Sequence, residues 1–217
     1  LGDVYKRQVL DRARAALRLA PDFVTRSVRS VTPDAVRRLA PEARVLCFDI
    51  DGTITDYHAP SVDPADAAHL RSFRDAGFET YVISNCYGER AREVHALFGP
   101  LVTAVLTPVD CVDAGRPGDH AGRHRKPAPD MVLLAAARAS EAGPVRPDQV
   151  VVVGDQLLKD VAAARAAGAQ ALLVPRLGRN DHLGVRLLQR PLEALLRLSL
   201  IHISEPTRRT PISYAVF

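Results

Sequence analysis

The stretch that decides the fold is Val45-Leu-Cys-Phe-Asp49-Ile-Asp51-Gly-Thr53. Four apolar residues run into two carboxylates that are one residue apart, and Gly52 then marks a turn. A short apolar run that ends at a turn is typical of a buried β-strand. Because side chains alternate along a strand, we expect Asp49 and Asp51 side by side at its end. Two carboxylates this close remain ionised beside a divalent cation, so the stretch favours a metal site over an acidic turn.

Strands and helices are predicted to alternate from this stretch onward, which indicates a parallel sheet with helices on both faces. Five strands are predicted, at residues 44–49, 78–84, 101–106, 149–153 and 169–174. Five helices are predicted, at residues 64–76, 89–98, 129–142, 158–167 and 182–198. Residues 107–125, rich in Gly, Pro, Asp, His and Arg, are predicted to form a mobile surface loop. The predicted fold class is therefore α/β, a Rossmann-like three-layer sandwich around a five-stranded parallel sheet.

The two ends of the chain differ in composition from the part between them. Residues 9–198 are rich in Ala, Arg, Leu, Val and Pro, whereas residues 1–8 and 199–217 are not. These ends resemble translated adapter sequence, and we expect both to be non-native. The expected single domain is residues 9–198, with a basic helical segment at 9–40, a core at 44–175 and a C-terminal helix at 182–198.

A basic segment precedes the first predicted strand. Residues 9–38 hold seven arginines and three aspartates, so this segment alone accounts for the formal net charge of +4. Apolar residues recur there at helical spacing, at Leu10, Ala13, Leu17 and Ala20. Thr32 is a predicted cap for a short helix that runs through Leu39. The segment is either a solvated helix face or a surface that binds an anionic membrane, and its lack of interleaved aromatic residues argues against nucleic acid.

Length and cysteine usage restrict the class of protein. A chain of 217 residues is long enough for one domain with a buried core, and no apolar run reaches membrane-spanning length. The three cysteines, at 47, 86 and 111, show no metal-ligand spacing, which fits a reduced, cytoplasmic compartment.

Three later stretches place polar residues at predicted strand ends. Ser84 and Asn85 follow Tyr81-Val-Ile, where a hydroxyl and an amide can donate to a phosphate oxygen. Lys126 precedes a proline, and a lysine fixed in this way can act as a point charge on a phosphoryl group. Asp155 follows Val150-Val-Val-Val-Gly, and Asp160 comes about one helical turn later. Four acidic residues at two strand ends predict an oxygen-rich site suited to Mg²⁺.

These four stretches, in this order, resemble the haloacid dehalogenase (HAD) superfamily of phosphohydrolases. The resemblance implies that Asp49 is the nucleophile that becomes an aspartyl phosphate and that Asp51 is the general acid/base. It implies a phosphate site formed by Gly52, Thr53, Ser84, Asn85 and Lys126. It also implies a Mg²⁺ site formed by Asp49, the backbone carbonyl of Asp51, and Asp155, with Asp160 as a supporting carboxylate.

Spacing narrows the resemblance to a group without a cap domain. Only 33 residues separate Asp51 from Ser84, and 42 separate Ser84 from Lys126. Finer motifs, including Gly154-Asp-Gln-Leu…Asp160 and Arg190-Pro-Leu-Glu193, resemble the YqeG family of subfamily IIIA phosphatases. That family has relatives among mitochondrial phosphatidylglycerophosphate phosphatases. The chain departs from its pattern at Gly52, where Asn is usual, and at Lys159, where Thr is usual.

The favoured function is Mg²⁺-dependent hydrolysis of an anionic phospholipid monoester such as phosphatidylglycerophosphate, by an enzyme peripheral to the inner face of the membrane. The main alternative is a soluble phosphatase that acts on sugar or nucleotide phosphates. A non-enzymatic scaffold is disfavoured because every matched catalytic position is filled. Dehalogenation, which does not need Asp51, and phosphomutase activity, which normally needs a cap, are disfavoured as well.

Overall fold

The computed structural model of the chain describes residues 19–117, 120–139 and 143–177. The strands are β1 (Phe23–Val24), β2 (Val45–Phe48), β3 (Glu79–Ile83), β4 (Ala104–Leu106), β5 (Val150–Gly154) and β6 (Gln170–Leu173). They form one parallel sheet in the order β1-β6-β5-β2-β3-β4. The predicted parallel α/β architecture is confirmed, with six strands instead of five.

The additional strand, β1, lies in the segment that we predicted to be helical. Phe23 and Val24 pair in parallel with Leu172 and Leu173 of β6. Next to this pair, the Asp22 carboxylate accepts a hydrogen bond of 2.7 Å from the Ala171 N–H. A two-residue strand is too short to show the alternation by which strands are recognised, so β1 has no usable signal in the sequence. Most of the basic helix predicted before it lies outside the described residues.

The helices are α1 (Pro33–Leu39), α2 (Pro64–Asp75), α3 (Glu89–Phe98), α4 (Pro108–Asp113), α5 (Asp130–Arg138) and α6 (Ala162–Ala167). The predicted cap of α1 is confirmed, because the Thr32 hydroxyl accepts a hydrogen bond of 3.2 Å from the Ala35 N–H. The bounds of α3 agree with the prediction, and α2 ends one residue earlier than predicted. The helix predicted at residues 182–198 and both ends predicted to be non-native lie outside the described residues. None of the described helices is both long and apolar enough to cross a membrane.

The stretch that we predicted to be a mobile loop contains α4 and a 3₁₀ turn at Ala121–His124, so that prediction was wrong for this part of the chain. The N–H and hydroxyl of Thr107 both donate to Asp110 Oδ2, at 2.7 and 2.6 Å. This is a side-chain cap that stabilises the first turn of α4, and Pro108 suits the first helical position. The helix predicted at 158–167 also differs, because a π-helical turn at Leu157–Val161 precedes α6.

Side chains alternate across the sheet and divide the core into two layers. Leu46 and Phe48 of β2 face a layer that includes α2 and α3. Val45 and Cys47 of the same strand face a second layer that includes α5 and α6. A strand buried on both faces carries a continuous apolar run, as β2 and β5 both do.

The polar strand ends meet because β2 lies between β3 and β5. In the register of the sheet, Phe48 is opposite Val82 on one side and Val153 on the other. Every strand is parallel, so the residues after these three strands emerge at the same edge, where α/β sheets commonly bind ligands. Within the described ranges, the connections that follow β2 and β3 contain no second domain above this edge.

We predict that Phe73→Ala lowers the free energy of unfolding by about 3–5 kcal/mol. Phe73 is fully buried on α2, and its ring centroid is 5.3 Å from that of Phe48 and 6.2 Å from that of Phe78. The matched control is Arg71→Ala on the exposed side of the same helix, which should change stability by less than about 0.5 kcal/mol. Denaturant unfolding of both variants measures the difference, and equal effects would contradict this assignment of the core.

Candidate active site

A buried lysine joins two of the carboxylates predicted for the site. The ammonium group of Lys126 donates hydrogen bonds to Asp49 Oδ1, to Asp160 Oδ1 at 2.7 Å and to the Ile83 carbonyl at 3.0 Å. Lys126, Asp49 and Asp160 are all buried. All three donors of the ammonium group are therefore used, and its position is fixed relative to β2, β3 and the π-helical turn.

The charges in this cluster shift the pKa values of its members. Burial by itself would lower the pKa of Lys126, but Asp160 and Asp49 outweigh burial and raise it, so the lysine stays charged. Burial, followed by the charge of Asp49, raises the pKa of Asp160 even though Lys126 opposes this. The cluster thus contains more negative charge than Lys126 neutralises.

The cation that would relieve this excess has a matching set of ligands. Oxygen atoms of Asp49, Asp155 and Asp160 all lie within 4.8 Å of one another, and all three residues are buried. Hard oxygen ligands of this kind suit Mg²⁺ or a similar divalent cation. A guanidinium nitrogen of Arg176 lies 3.6 Å from Asp155 Oδ2, so this carboxylate already has one cationic neighbour. Asp160, expected only as a supporting residue, belongs to the same group of carboxylates as Asp49 and Asp155, the two side chains expected as ligands. The third expected ligand, the backbone carbonyl of Asp51, stays a prediction.

Asn85 holds the backbone of Lys126 from both sides. Its side-chain N–H donates to the Lys126 carbonyl at 3.0 Å, and its side-chain oxygen accepts from the Lys126 N–H at 2.7 Å. We expected Asn85 to bind phosphate directly. Instead, these two hydrogen bonds show that its amide positions the lysine across 41 residues of sequence.

Asp160 is packed against a strand residue that has no side chain. A Cβ added to Gly154 would overlap the Asp160 carboxylate, with the Asp160 Cβ only 2.5 Å away. The other oxygen of Asp160, Oδ2, accepts a hydrogen bond of 3.0 Å from the Gln156 N–H. Glycine within a strand often marks such a close approach, which is the sequence signal for this contact.

Asp51 lies at the same edge but outside the buried cluster. Its Oδ1 accepts a hydrogen bond of 2.9 Å from the His58 N–H and lies 3.8 Å from Nη2 of Arg90. The Asp51 side chain is 21% exposed, against 9% for Asp49. The two carboxylates of the opening stretch therefore lie near each other but have different environments.

The remaining predicted phosphate-site residues surround Asp49 in different ways. Thr53 is fully buried, and its hydroxyl donates to Asp49 Oδ2 at 3.4 Å, so its side chain supports the carboxylate from below. Gly52 has a φ of +88°, and a Cβ there would lie 3.2 Å from Asp155 Oδ2. Ser84 is buried and lines the cleft described next.

A cleft of about 370 Å³ opens at this edge of the sheet. Asp49, Asp51, Ser84, Asn85 and Lys126 line it, as predicted for a site. The sequence analysis missed several further lining residues, namely Tyr57, His58, Tyr87, Arg90, Arg125 and Gln156. They lie on loops and a helix start, where no spacing pattern distinguishes them. Cys86 also lines the cleft, but burial raises the pKa of its thiol, which disfavours a reactive thiolate.

Comparison with known proteins gives one family match. A family model described as HAD-hydrolase-like matches residues 123–185, less than half of the chain. This segment contains Lys126, Asp155 and Asp160 but neither Asp49 nor Asp51. No curated protein shows significant similarity to the chain. The family match supports the prediction that the chain is an enzyme of the HAD phosphatase type.

Several solved structures are similar to the chain. A HAD-family hydrolase from Deinococcus radiodurans R1, with bound phosphate and sodium, is 20% identical; the match covers 78% of this chain and 100% of that one, with a TM-score of 0.45. NagD from E. coli K-12 is 15% identical, with 77% and 94% covered and a TM-score of 0.49. A HAD phosphatase from Thermococcus onnurineus is 24% identical, with 56% and 50% covered and a TM-score of 0.42. The chain thus spans about half the length of the Thermococcus protein.

We predict that Gly154→Ala lowers the free energy of unfolding by about 1–3 kcal/mol, because the new methyl group would overlap Asp160. The double variant Gly154→Ala/Asp160→Ala tests this cause, since removing the carboxylate removes the overlap. Adding Gly154→Ala to Asp160→Ala should therefore cost much less than adding it to the native chain. Denaturant unfolding of the four proteins measures this coupling, and additive effects would show that the two residues do not interfere.

Proposed function

We propose that the chain is a phosphatase that hydrolyses phosphomonoesters through an aspartyl phosphate on Asp49. The observation that carries this proposal is the buried cluster in which Lys126 pairs with both Asp49 and Asp160 at the floor of an open cleft. A carboxylate that is held by a buried lysine and lines a cleft is placed as a nucleophile requires. The family match over residues 123–185 supports the same class of reaction.

The proposed first step is in-line attack of an Asp49 carboxylate oxygen on phosphorus. The bond from phosphorus to the ester oxygen breaks, and the leaving alkoxide takes a proton from Asp51. In the second step Asp51 accepts a proton from water, which attacks the acyl phosphate, releases inorganic phosphate and regenerates Asp49. The Ser84 hydroxyl lines the cleft and would donate to a charged phosphoryl oxygen in both steps, while Lys126, whose donors are held by Asp49, Asp160 and the Ile83 carbonyl, would contribute its positive charge.

Asp49, Asp155 and Asp160 are the residues that would hold Mg²⁺. The bound cation would neutralise charge on the phosphoryl group, which is the chemistry that a hard divalent ion supplies in phosphoryl transfer. The protein's own contribution is to keep the three carboxylates buried and close together. Arg176 limits the repulsion at Asp155, and Lys126 limits it at Asp49 and Asp160.

We predict that Asp49→Asn abolishes turnover of phosphomonoesters, because an amide is a poor nucleophile. Asp51→Asn should lower kcat by about 10²–10⁴-fold, the usual contribution of general acid/base catalysis. Steady-state assays with Mg²⁺ on a panel of phosphomonoesters measure both effects, and excess chelator should also stop the reaction. Full activity of Asp49→Asn would overturn the aspartyl-phosphate proposal, and full activity in chelator would overturn the Mg²⁺ requirement.

For the substrate, we propose an anionic phospholipid monoester, such as phosphatidylglycerophosphate, bound by an enzyme that is peripheral to the inner face of the membrane. The cleft is open, and Tyr87, which lines it, is 62% exposed. Helix α4 begins at the same edge and carries two further exposed apolar residues, Val109 (39%) and Val112 (36%). The resemblance to the YqeG family points to the same substrate. A soluble sugar or nucleotide phosphate is the alternative.

The basic segment at residues 9–40 gives partial support to membrane binding. Arg29, in a 3₁₀ turn at Val28–Ser30, contacts the first turn of α2, where its Nε donates to Asp66 Oδ1 at 2.8 Å. Helix α2 begins on the side of the sheet that carries the cleft, so Arg29 lies on the catalytic side. Because Arg29 is already paired, much of the attraction to an anionic surface, about 1 kcal/mol per free basic residue, would come from the other arginines.

We predict that the protein sediments with anionic vesicles at low salt and is released at high salt, because salt screens the attraction. Tyr87→Ala should weaken binding to the vesicles, whereas Arg71→Ala, on the exposed side of α2, should have a smaller effect. Hydrolysis of the lipid monoester and of soluble phosphates is measured in parallel. Absence of vesicle binding, together with faster hydrolysis of a soluble phosphate, would favour the soluble alternative.

A further inference from the structure

Among the described residues, Arg90, on the first turn of α3, donates hydrogen bonds from only one of its guanidinium nitrogens. Nη1 donates to Glu93 Oε2 at 3.0 Å and to the Ala59 carbonyl at 3.5 Å. The side chain is 15% exposed and lines the cleft. These contacts hold the guanidinium group in place at the wall of the cleft.

The other two nitrogens, Nε and Nη2, are buried, and no residue in the described part of the chain accepts a hydrogen bond from either. Asp51 Oδ1 lies 3.8 Å from Nη2, which is an ion-pair distance but too long for a hydrogen bond. Nε–H and Nη2–H point in the same direction and form the edge of guanidinium that binds a carboxylate or phosphate with two parallel hydrogen bonds. Buried donors without an acceptor are costly, so this edge is suited to an anion that arrives with a ligand.

The position of Arg90 indicates which part of a substrate it would meet. The phosphoryl group would lie at Asp49 and Lys126, and the ester oxygen would face Asp51, the proposed proton donor. Arg90 contacts Asp51 and no member of the buried cluster. The unpaired edge of Arg90 is therefore placed for the leaving alcohol and not for the phosphoryl group.

The rest of the cleft also contains more positive charge than phosphoryl transfer alone requires. Besides Lys126, the lining includes Arg90, Arg125 and Lys159, whereas its acidic lining residues are Asp49 and Asp51. Arg125 lies over the Tyr87 ring, with 5.5 Å between its guanidinium carbon and the ring centroid. This charge distribution favours a substrate with more than one anionic group.

We propose that Arg90 determines substrate specificity by binding a second anionic group, a carboxylate or a phosphodiester, on the leaving alcohol close to the ester oxygen. The inference rests on the proposed phosphatase function. The alternative is that Arg90 only orients Asp51, in which case its loss would lower kcat equally for every substrate.

The test uses pairs of substrates that differ in the second anion. Ethyl phosphate is compared with 2-phosphoglycolate, in which a carboxylate replaces the methyl group. Glycerol 3-phosphate is compared with glycerophosphoglycerol phosphate, which carries a phosphodiester. Four proteins are assayed with Mg²⁺: the native full chain and the variants Arg90→Gln, Arg90→Lys and Arg92→Gln. Arg90→Lys keeps the charge but loses the two-donor edge. Arg92 is an exposed arginine of the same helix, so Arg92→Gln is the matched control.

In the native chain we expect kcat/KM to be higher, by about tenfold or more, for the member of at least one pair that carries the second anionic group. Arg90→Gln should reduce this ratio to near one, mainly through KM, because kcat/KM falls much more for the member that carries the second anion than for the member that lacks it. Arg90→Lys should retain only part of the ratio, and Arg92→Gln should retain all of it. The pair with the larger ratio identifies the second anion as a carboxylate or a phosphodiester.

Binding of the same compounds to Asp49→Asn, measured by calorimetry with and without Arg90→Gln, should show the same loss of preference without turnover. An unchanged ratio in Arg90→Gln, or an equal fall for both members of each pair, would overturn the role of Arg90 while leaving the phosphatase function intact. A native chain that turns over none of the four compounds would overturn the phosphatase function, and the inference with it. Thermal unfolding of each variant confirms that it is folded.

Discussion

The buried ion pairs of Lys126 with Asp49 and Asp160 are the constraint on which the rest of the site depends. Removing three charged groups from water is costly unless they neutralise one another with good geometry. Here the ammonium group contacts two carboxylates and the Ile83 carbonyl, so none of its donors is wasted. The same contacts connect β2, the end of β3 and the turn after β5. The contacts that balance charge in the site are thus also the contacts that hold the catalytic edge together.

Residues without catalytic chemistry of their own maintain this geometry. Asn85 holds the Lys126 backbone with two hydrogen bonds, and Gly154 leaves the space that the Asp160 carboxylate fills. Lys126 lies far in sequence from Asp49 and Asp160, so Asn85 is needed to position the lysine and Gly154 to leave room for one of its partners. A nucleophile is useful only if it is held within a fraction of an ångström, and these supporting contacts provide that precision.

Asp49 and Asp51 show how environment assigns different roles to identical side chains. Asp49 contacts a buried ammonium group, whereas Asp51 contacts the His58 N–H and the partly exposed guanidinium of Arg90. A fixed, ionised carboxylate suits nucleophilic attack, and a carboxylate nearer to solvent suits proton transfer. The division also separates the cleft into a phosphoryl side and a leaving-group side, and Arg90 belongs to the second.

The sequence by itself predicted the parallel α/β sheet, most of its helices and the strand ends that carry Asp49, Ser84 and Asp155. It did so because buried parallel strands are continuous apolar runs, and polar residues after them must emerge at one edge. It did not predict β1, which depends on pairing with β6. Nor did it predict α4, a short helix whose capping residue, Thr107, lies in a polar stretch typical of loops.

Only the tertiary structure decided what the polar residues contact. It directed the Asn85 amide to the Lys126 backbone, placed Asp160 beside Asp49 and Asp155, and brought Arg90 to Asp51 across 39 residues. These contacts depend on distances between side chains on different elements, which spacing along one strand or helix does not encode. Local patterns determine which elements form, whereas the packing of those elements determines which charges meet.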